Sequence, residues 1–384
     1  LVLFISGCTT FVLISLLVGR IFVSNSSLPF VLFICFFTFR SLIDLDSLQA
    51  SELLIGTTGG ILLFYILGAY VSICIASLTK LDDKNRTRWV GFFYFSISIF
   101  IFITYAMFVY LSGSEAEVLD SFINADGSYQ RKGTLLTLLY IIYSSLFLLL
   151  RARSLPWKGI YITLFIFNTL LFIFYSQLVR SNSGFVTILL ISLAVIYLKL
   201  MSIKRKIIPF SFLFYIFILL IFMAIYFDFY SIYGIDFYLS HLRIFGYGDF
   251  EFSSVSSRVD FLSYIPSQIE HGIFFGDLNS DTKAGVPGSY PHSLIFHSLT
   301  HIGLAGFVLV LIIVFSLLIR NGLFSVRRAI NLYNSSGWIT KLHFVHTLPV
   351  VIVAVFFQSM TWAPFWFVLG LYIPIFKLRR GVNE

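Results

Sequence analysis

Long apolar runs separated by short polar connections make up most of this chain. They lie at about 2–24, 28–44, 53–79, 90–112, 134–152, 159–178, 184–203, 208–227, 292–319, 343–358 and 362–377. Most reach the roughly 18–20 residues that a helix needs to cross a hydrocarbon layer. A backbone crossing lipid must satisfy its own hydrogen bonds, which a helix does. The pattern predicts an all-α polytopic membrane protein with about 11 (10–12) transmembrane helices. One interval departs from it. Residues 228–291 are largely polar and lead directly into the run that opens at His292. The expected organisation is a single integral membrane domain over 1–384 that contains 228–291 as one large loop.

Composition excludes a soluble fold. The chain of 384 residues is 58% hydrophobic and only 11% charged, against roughly 25% charged in soluble domains. The net charge of +8 does not point to nucleic acid, because the positive residues sit where membrane topology puts them. Nineteen of the 26 lysines and arginines fall at Arg20 and in the connections 80–88, 151–158, 199–206, 320–341 and 377–380. Short basic connections mark the cytoplasmic side. The other seven are Arg40, Arg131, Lys132, Arg180, Arg243, Arg258 and Lys283. The interval 228–291, the connections 113–133 and 179–183, and most acidic residues are therefore expected on the outer side, with the C-terminus inside.

The three cysteines, Cys8, Cys35 and Cys74, lie in apolar runs and suggest no disulfide framework or metal spacing. The sequence opens on Leu1 without the pattern of a cleavable signal peptide. A short preceding piece is expected, and the membrane segments would direct insertion.

No cytoplasmic connection is long enough to fold as a domain, and no phosphate-binding or dinucleotide-binding glycine loop is present. An enzyme built this way needs an activated substrate already in the membrane and chemistry at the outer face. No cofactor is expected.

Three stretches have side chains suited to such chemistry. In Tyr175–Gly184, Arg180 stands in a tight turn with Ser181, Asn182 and Ser183. Its guanidinium offers a fixed fork of donors to phosphate oxygens, and a following helix near Gly184 would point N–H groups the same way. Simple snorkelling to the interface is the alternative. In the second stretch, Arg258 precedes an amphipathic segment with Val259, Leu262, Ile265 and Ile269 near one face and Pro266 as a kink. That segment is expected to lie along the surface. A surface ion pair with Asp260 or Glu270 is the plainer reading of Arg258.

The third stretch is residues 291–306, and five of the seven histidines lie between His241 and His301. His292 follows Pro291 and should stand at the mouth of a membrane helix, where a neutral imidazole accepts a proton near pH 7. His297 and His301 are one turn apart, but neither a neighbouring HExxH glutamate nor a cysteine pair supports a metal. A hydrogen-bonded structural role is expected for both. Asp249, Glu251, Asp260, Asp277 and Asp281 are alternative bases.

Together these stretches resemble the O-antigen polymerase and O-antigen ligase superfamily of bacterial envelope enzymes. His292-Ser293, nine residues (294–302), then Gly303-Leu304-Ala305-Gly306 is similar to that family's His–Gly motif. Arg180 and Arg258 stand where the family carries outer-face arginines, and Gly272 or Gly276 follows the amphipathic segment. The resemblance implies a C-type-like, metal-independent, inverting membrane glycosyltransferase at the periplasmic face of the bacterial inner membrane. Its donor would be an oligosaccharide on undecaprenyl diphosphate. It implies His292 as base, Arg180 and Arg258 on the diphosphate, and Arg243, Ser257, Tyr290 and Ser293 as substrate contacts. A chain-length regulator is an implied partner, beside membrane lipid. Arg180 is followed by Ser-Asn-Ser-Gly rather than the arginine and small residue frequent in ligases, and the chain is short and Phe-rich, which favours the polymerase. A flippase or other transporter should carry charges within several spans, and these spans are nearly free of them.

Overall fold

A computed structural model describes residues 21–23, 27–43, 58–114, 128–150, 155–178, 181–204, 263–270, 272–280, 285, 292–320, 338–373 and 376–378. These residues are almost entirely helical. Four helical segments, Gly59–Lys80, Asp83–Met107, Lys158–Ser176 and Leu294–Ile319, are long and apolar enough to cross a membrane. Five shorter apolar helices accompany them among the described residues. Helices occupy nine of the apolar runs in the sequence; the runs near 2–24 and 208–227 lie outside the described residues, apart from 21–23. The chain is a helical membrane protein.

Contacts divide the chain into two compact units, 1–81 with 254–384, and 82–253. In the first unit, strand β1 (Ile21–Val23) precedes helices α1 (Leu28–Ile43) and α2 (Gly59–Lys80). β1 pairs antiparallel with β2 (Phe376–Leu378), with Phe22 opposite Lys377.

α2 packs most extensively on α10 (Ala363–Tyr372), in which all ten residues are buried. Glycine permits this approach. A Cβ at Gly68 would strike the Phe367 carbonyl, and one at Gly370 would strike the Tyr65 carbonyl. Such small-residue contacts matter in lipid, where close packing replaces the hydrophobic effect between helices. Phe30 stacks on Tyr65 at 3.7 Å and Phe33 on Trp366 at 5.0 Å, which closes α1 over this pair.

The second unit is built from α3 (Asp83–Ser114), α4 (Ser128–Leu149), α5 (Leu155–Leu178) and α6 (Asn182–Lys204). Its interior is partly polar, and its buried hydroxyls are paired across helices, whereas Asn168 Oδ1 has no hydrogen-bond partner among the described residues. Tyr140 OH lies 2.5 Å from Ser192 Oγ and 3.0 Å from Thr169 Oγ1. Tyr143 OH lies 2.7 Å from Tyr94 OH and accepts from Asn168 Nδ2 at 3.2 Å. Tyr94 OH donates to the Tyr161 carbonyl at 3.1 Å. Hydroxyl and amide pairs of this kind join helices where water is absent. Outward, α3 exposes Phe92, Ile99, Phe102, Ile103 and Met107, a surface suited to lipid.

Candidate functional site

The candidate site belongs to the first unit. It is built on α8 (Leu294–Arg320), α9 (Trp338–Phe357), the six-residue α7 (Ile265–Glu270) and the loop that follows α7. His292 is half-buried, two residues before α8 begins. The expected helix mouth is therefore present. Ser293 is the N-cap: its Oγ accepts from Phe296 N–H at 3.4 Å and donates to the Val355 carbonyl at 2.6 Å. This anchors the mouth of α8 to the end of α9 and assigns the Ser293 hydroxyl to capping.

One turn further in, His297 and His301 meet edge to face with ring centroids 4.1 Å apart. Both are buried. His297 Nδ1 accepts from Met360 N–H at 3.0 Å. A backbone N–H only donates, so the His297 proton belongs on Nε2. Met360 is held in turn by its carbonyl, which accepts from Trp366 Nε1 at 2.7 Å. His301 Nδ1 lies 3.0 Å from Thr300 Oγ1, which itself lies 3.2 Å from the His297 carbonyl. Both histidines therefore have the structural partners their positions suggest. Among the described residues, no cluster of three or more His, Cys, Asp or Glu side chains is disposed to hold a metal ion.

The glycines of the motif have a local cause. At Gly303 the helix breaks, with φ 65° and ψ −169°. Its ladder is completed from outside. Leu304 N–H donates to the Ile273 carbonyl at 2.8 Å and Ala305 N–H to the Phe274 carbonyl at 3.1 Å. Asp277 N–H donates to the Thr300 carbonyl at 3.3 Å. The break also throws Ile302 over Gly306, where a Cβ would collide with the Ile302 side chain. The G-x-x-G spacing thus serves a kink and the loop that fills it.

Arg40 of α1 secures that loop. Its Nε donates to the Phe275 carbonyl at 2.9 Å, and its Nη2 donates to the Gly276 carbonyl at 2.8 Å. Arg40 is buried. The charge pattern puts it on the outer side and assigns it no role. A single arginine at a helix end has no sequence signal that sets it apart from a snorkelling one.

The segment after Arg258 differs in detail from the amphipathic reading. Its described helix is short, and Pro266 stands in the first turn, where proline is tolerated, so it makes no kink. The residue it buries is Gln268, while Ile265 and Ile269 are half-exposed. At the other predicted clamp, α6 starts at Asn182, two residues before Gly184, capped by Ser181, whose Oγ accepts from Gly184 N–H at 3.2 Å. One of the N–H groups expected to face an anion is thereby taken.

Arg180, Arg243, Ser257, Arg258 and Tyr290 lie outside the described residues, as do Asp249, Glu251, Asp260 and Asp281. A second histidine cluster was missed from the sequence. His346 Nδ1 lies 2.6 Å from Tyr372 OH, and the His343 ring lies 4.3 Å from that of Tyr372. All three are buried. Only the i, i+3 histidine spacing hints at it. No family model, curated protein or solved structure matches the chain.

Proposed function

We propose that this protein is a membrane glycosyltransferase of the O-antigen polymerase type, acting on lipid-linked oligosaccharides at the periplasmic face of a bacterial inner membrane. In this proposal the protein has about 11 transmembrane helices in a C-type-like arrangement. The observation that carries it is the place of His292 at a helix mouth that the other residues of the motif build. Ser293, Gly303 and Gly306 are accounted for by capping and packing, and His297 and His301 by structural hydrogen bonds. His292 stands at the mouth of the helix, half-buried, and there it would act as the general base toward an acceptor hydroxyl.

In the proposed reaction, a hydroxyl oxygen of the acceptor repeat attacks the anomeric carbon of the donor glycan from the face opposite the diphosphate. The carbon–oxygen bond to undecaprenyl diphosphate breaks as the new glycosidic bond forms. His292 takes the hydroxyl proton. The diphosphate leaves with its charge stabilised by Arg180 and Arg258, which a preorganised guanidinium does well. No metal and no nucleotide is required. Arg243, Ser257 and Tyr290 would contact the sugars, and a chain-length regulator would act as partner.

The test is the glycan profile of cells that carry variants of this chain. His292→Ala and Arg258→Ala should abolish glycan transfer with the protein still inserted in the membrane. Full activity in either removes that residue from the mechanism. In cells lacking the protein, core carrying a single repeat is the polymerase outcome. Loss of all attached glycan, with polymer stranded on undecaprenyl diphosphate, would identify a ligase instead.

A further inference from the structure

The loop Gly272–Ser280 has an arrangement that a water-exposed loop does not need. Four successive carbonyls, those of Ile273, Phe274, Phe275 and Gly276, are all taken up by protein donors: Leu304 N–H, Ala305 N–H and the Arg40 guanidinium. The side chains of the same stretch do the reverse. Ile273 is 54%, Phe274 65% and Phe275 62% exposed. Non-helical backbone is tolerated at membrane depth only where protein satisfies its polar groups. Here the carbonyls face inward and three large apolar side chains face out.

The position along α8 sets a depth. Counting back from Ile319, the roughly 20 residues that fill a hydrocarbon layer reach Thr300. Asp277 is bonded at Thr300, whereas Ile273 and Phe274 are bonded at Leu304 and Ala305. At roughly 1.5 Å per residue, counted through the break at Gly303, this places the triplet about 6–8 Å below that boundary. Asp277, level with Thr300, is buried and its Oδ1 accepts from Asn279 N–H at 2.9 Å, while Glu270 on the other flank is exposed.

The triplet also continues surfaces that already face lipid. On α8, Leu304, Val308, Ile312, Phe315 and Ile319 form one exposed stripe, and the triplet is bonded to its first member. On α1, Phe39 and Ile43 are exposed beside Arg40, and the Phe36 and Phe275 rings stack at 6.4 Å.

We propose that Ile273-Phe274-Phe275 is an interfacial wedge, inserted among the acyl chains of the leaflet at the Leu294 end of α8. The segment is then a re-entrant part of the membrane domain, and this holds whatever reaction the protein performs. The full chain, with Cys8, Cys35 and Cys74 replaced by alanine, is given a single nitroxide through Phe274→Cys and reconstituted in phosphatidylcholine nanodiscs. Collision with oxygen and with a water-soluble nickel chelate is then measured. Oxygen should be favoured several-fold over the chelate, as at Val308→Cys, whereas Gly285→Cys should favour the chelate. Should Phe274→Cys fail to fold, Ile273→Cys is expected to give the same preference. Chelate access at 274 and 273 equal to that at 285 would overturn the proposal. Protection from both colliders would overturn it too, by showing a protein surface or a second copy of the chain over the triplet.

Discussion

Gly276 and Gly303 meet backbone against backbone, each with a positive φ, 70° and 65°. A Cβ on either would enter the other's main chain; for Gly303 it would also approach the Phe274 carbonyl carbon to 2.6 Å. Gly303 further combines its φ with a ψ of −169°, a region that side chains other than glycine scarcely reach. Gly285 is the natural comparison, with φ 76° and nothing near its missing Cβ. Gly285→Ala should cost only conformational strain, about 1–2 kcal/mol. Gly276→Ala and Gly303→Ala add a main-chain overlap to that strain and should lower the melting temperature clearly more. Thermal unfolding of the three variants in one detergent checks the order. Equal losses would mean that the loop moves freely away from the kink.

Arg40 tests the same joint from the other side. Hydrogen bonds from a charged donor contribute about 1.5–3 kcal/mol each, and Arg40 spans two adjacent carbonyls. Arg40→Ala should therefore destabilise the first unit by more than a typical substitution. Arg40→Lys should fall in between, because an ammonium cannot reproduce the planar fork. The melting temperatures of both variants, set beside protease susceptibility at residues 272–280, read this directly. A lysine variant no better than alanine would show that the fork geometry, rather than the charge, holds the loop.

The apolar runs were legible in the sequence because length and hydropathy are written locally, and helices stand at nine of them. The helix mouth at His292 was legible for the same reason: Pro291, the serine cap and the apolar run are neighbours in the chain. The joint was not. Arg40 lies 236 positions from Gly276, and nothing local to either predicts their meeting. The spacing Gly303-x-x-Gly306 does not reveal it either: Gly303 meets the backbone of a loop whose residues stand some thirty positions earlier in the chain. The pairing of His346 with Tyr372 was hidden similarly, since it depends on how α9 and α10 pack.

The histidines of α8 should separate by their readouts. His297 supplies the acceptor for a buried backbone N–H at Met360. Removing one partner of such a pair costs about 1–3 kcal/mol, so His297→Ala should lower the melting temperature. His297→Gln, which can still offer an acceptor, should recover part of the loss. His292 is half-buried ahead of the first turn of α8, and as a general base it should matter to transfer more than to the fold, so His292→Ala should change stability by about 0.5 kcal/mol or less while glycan transfer is lost. A stability loss at His292→Ala as large as that at His297→Ala would assign His292 to structure rather than to chemistry.

The short turn into α3 gives a prediction about pH. Asp82 Oδ1 accepts from Asn85 Nδ2 at 2.6 Å, and Asp82 Oδ2 accepts from Asn85 N–H at 3.4 Å. The side-chain bond from Asn85, with smaller help from backbone donors, holds the carboxyl below its ordinary value of 3.8. A carboxyl whose folded value is depressed stabilises the folded state above its unfolded value and loses that contribution as pH falls through the folded one. At pH 7 the wild-type protein should therefore melt above Asp82→Ala. The gap should hold down to about pH 5 and then narrow as pH falls below the ordinary carboxylate range. Other carboxylates titrate in the same range, so the quantity to follow is the difference between the two proteins rather than either melting temperature alone. A gap that stays constant from pH 7 to well below 3.8 would mean that the Asp82 charge contributes nothing to the start of α3 and that the loss comes from the missing side chain alone.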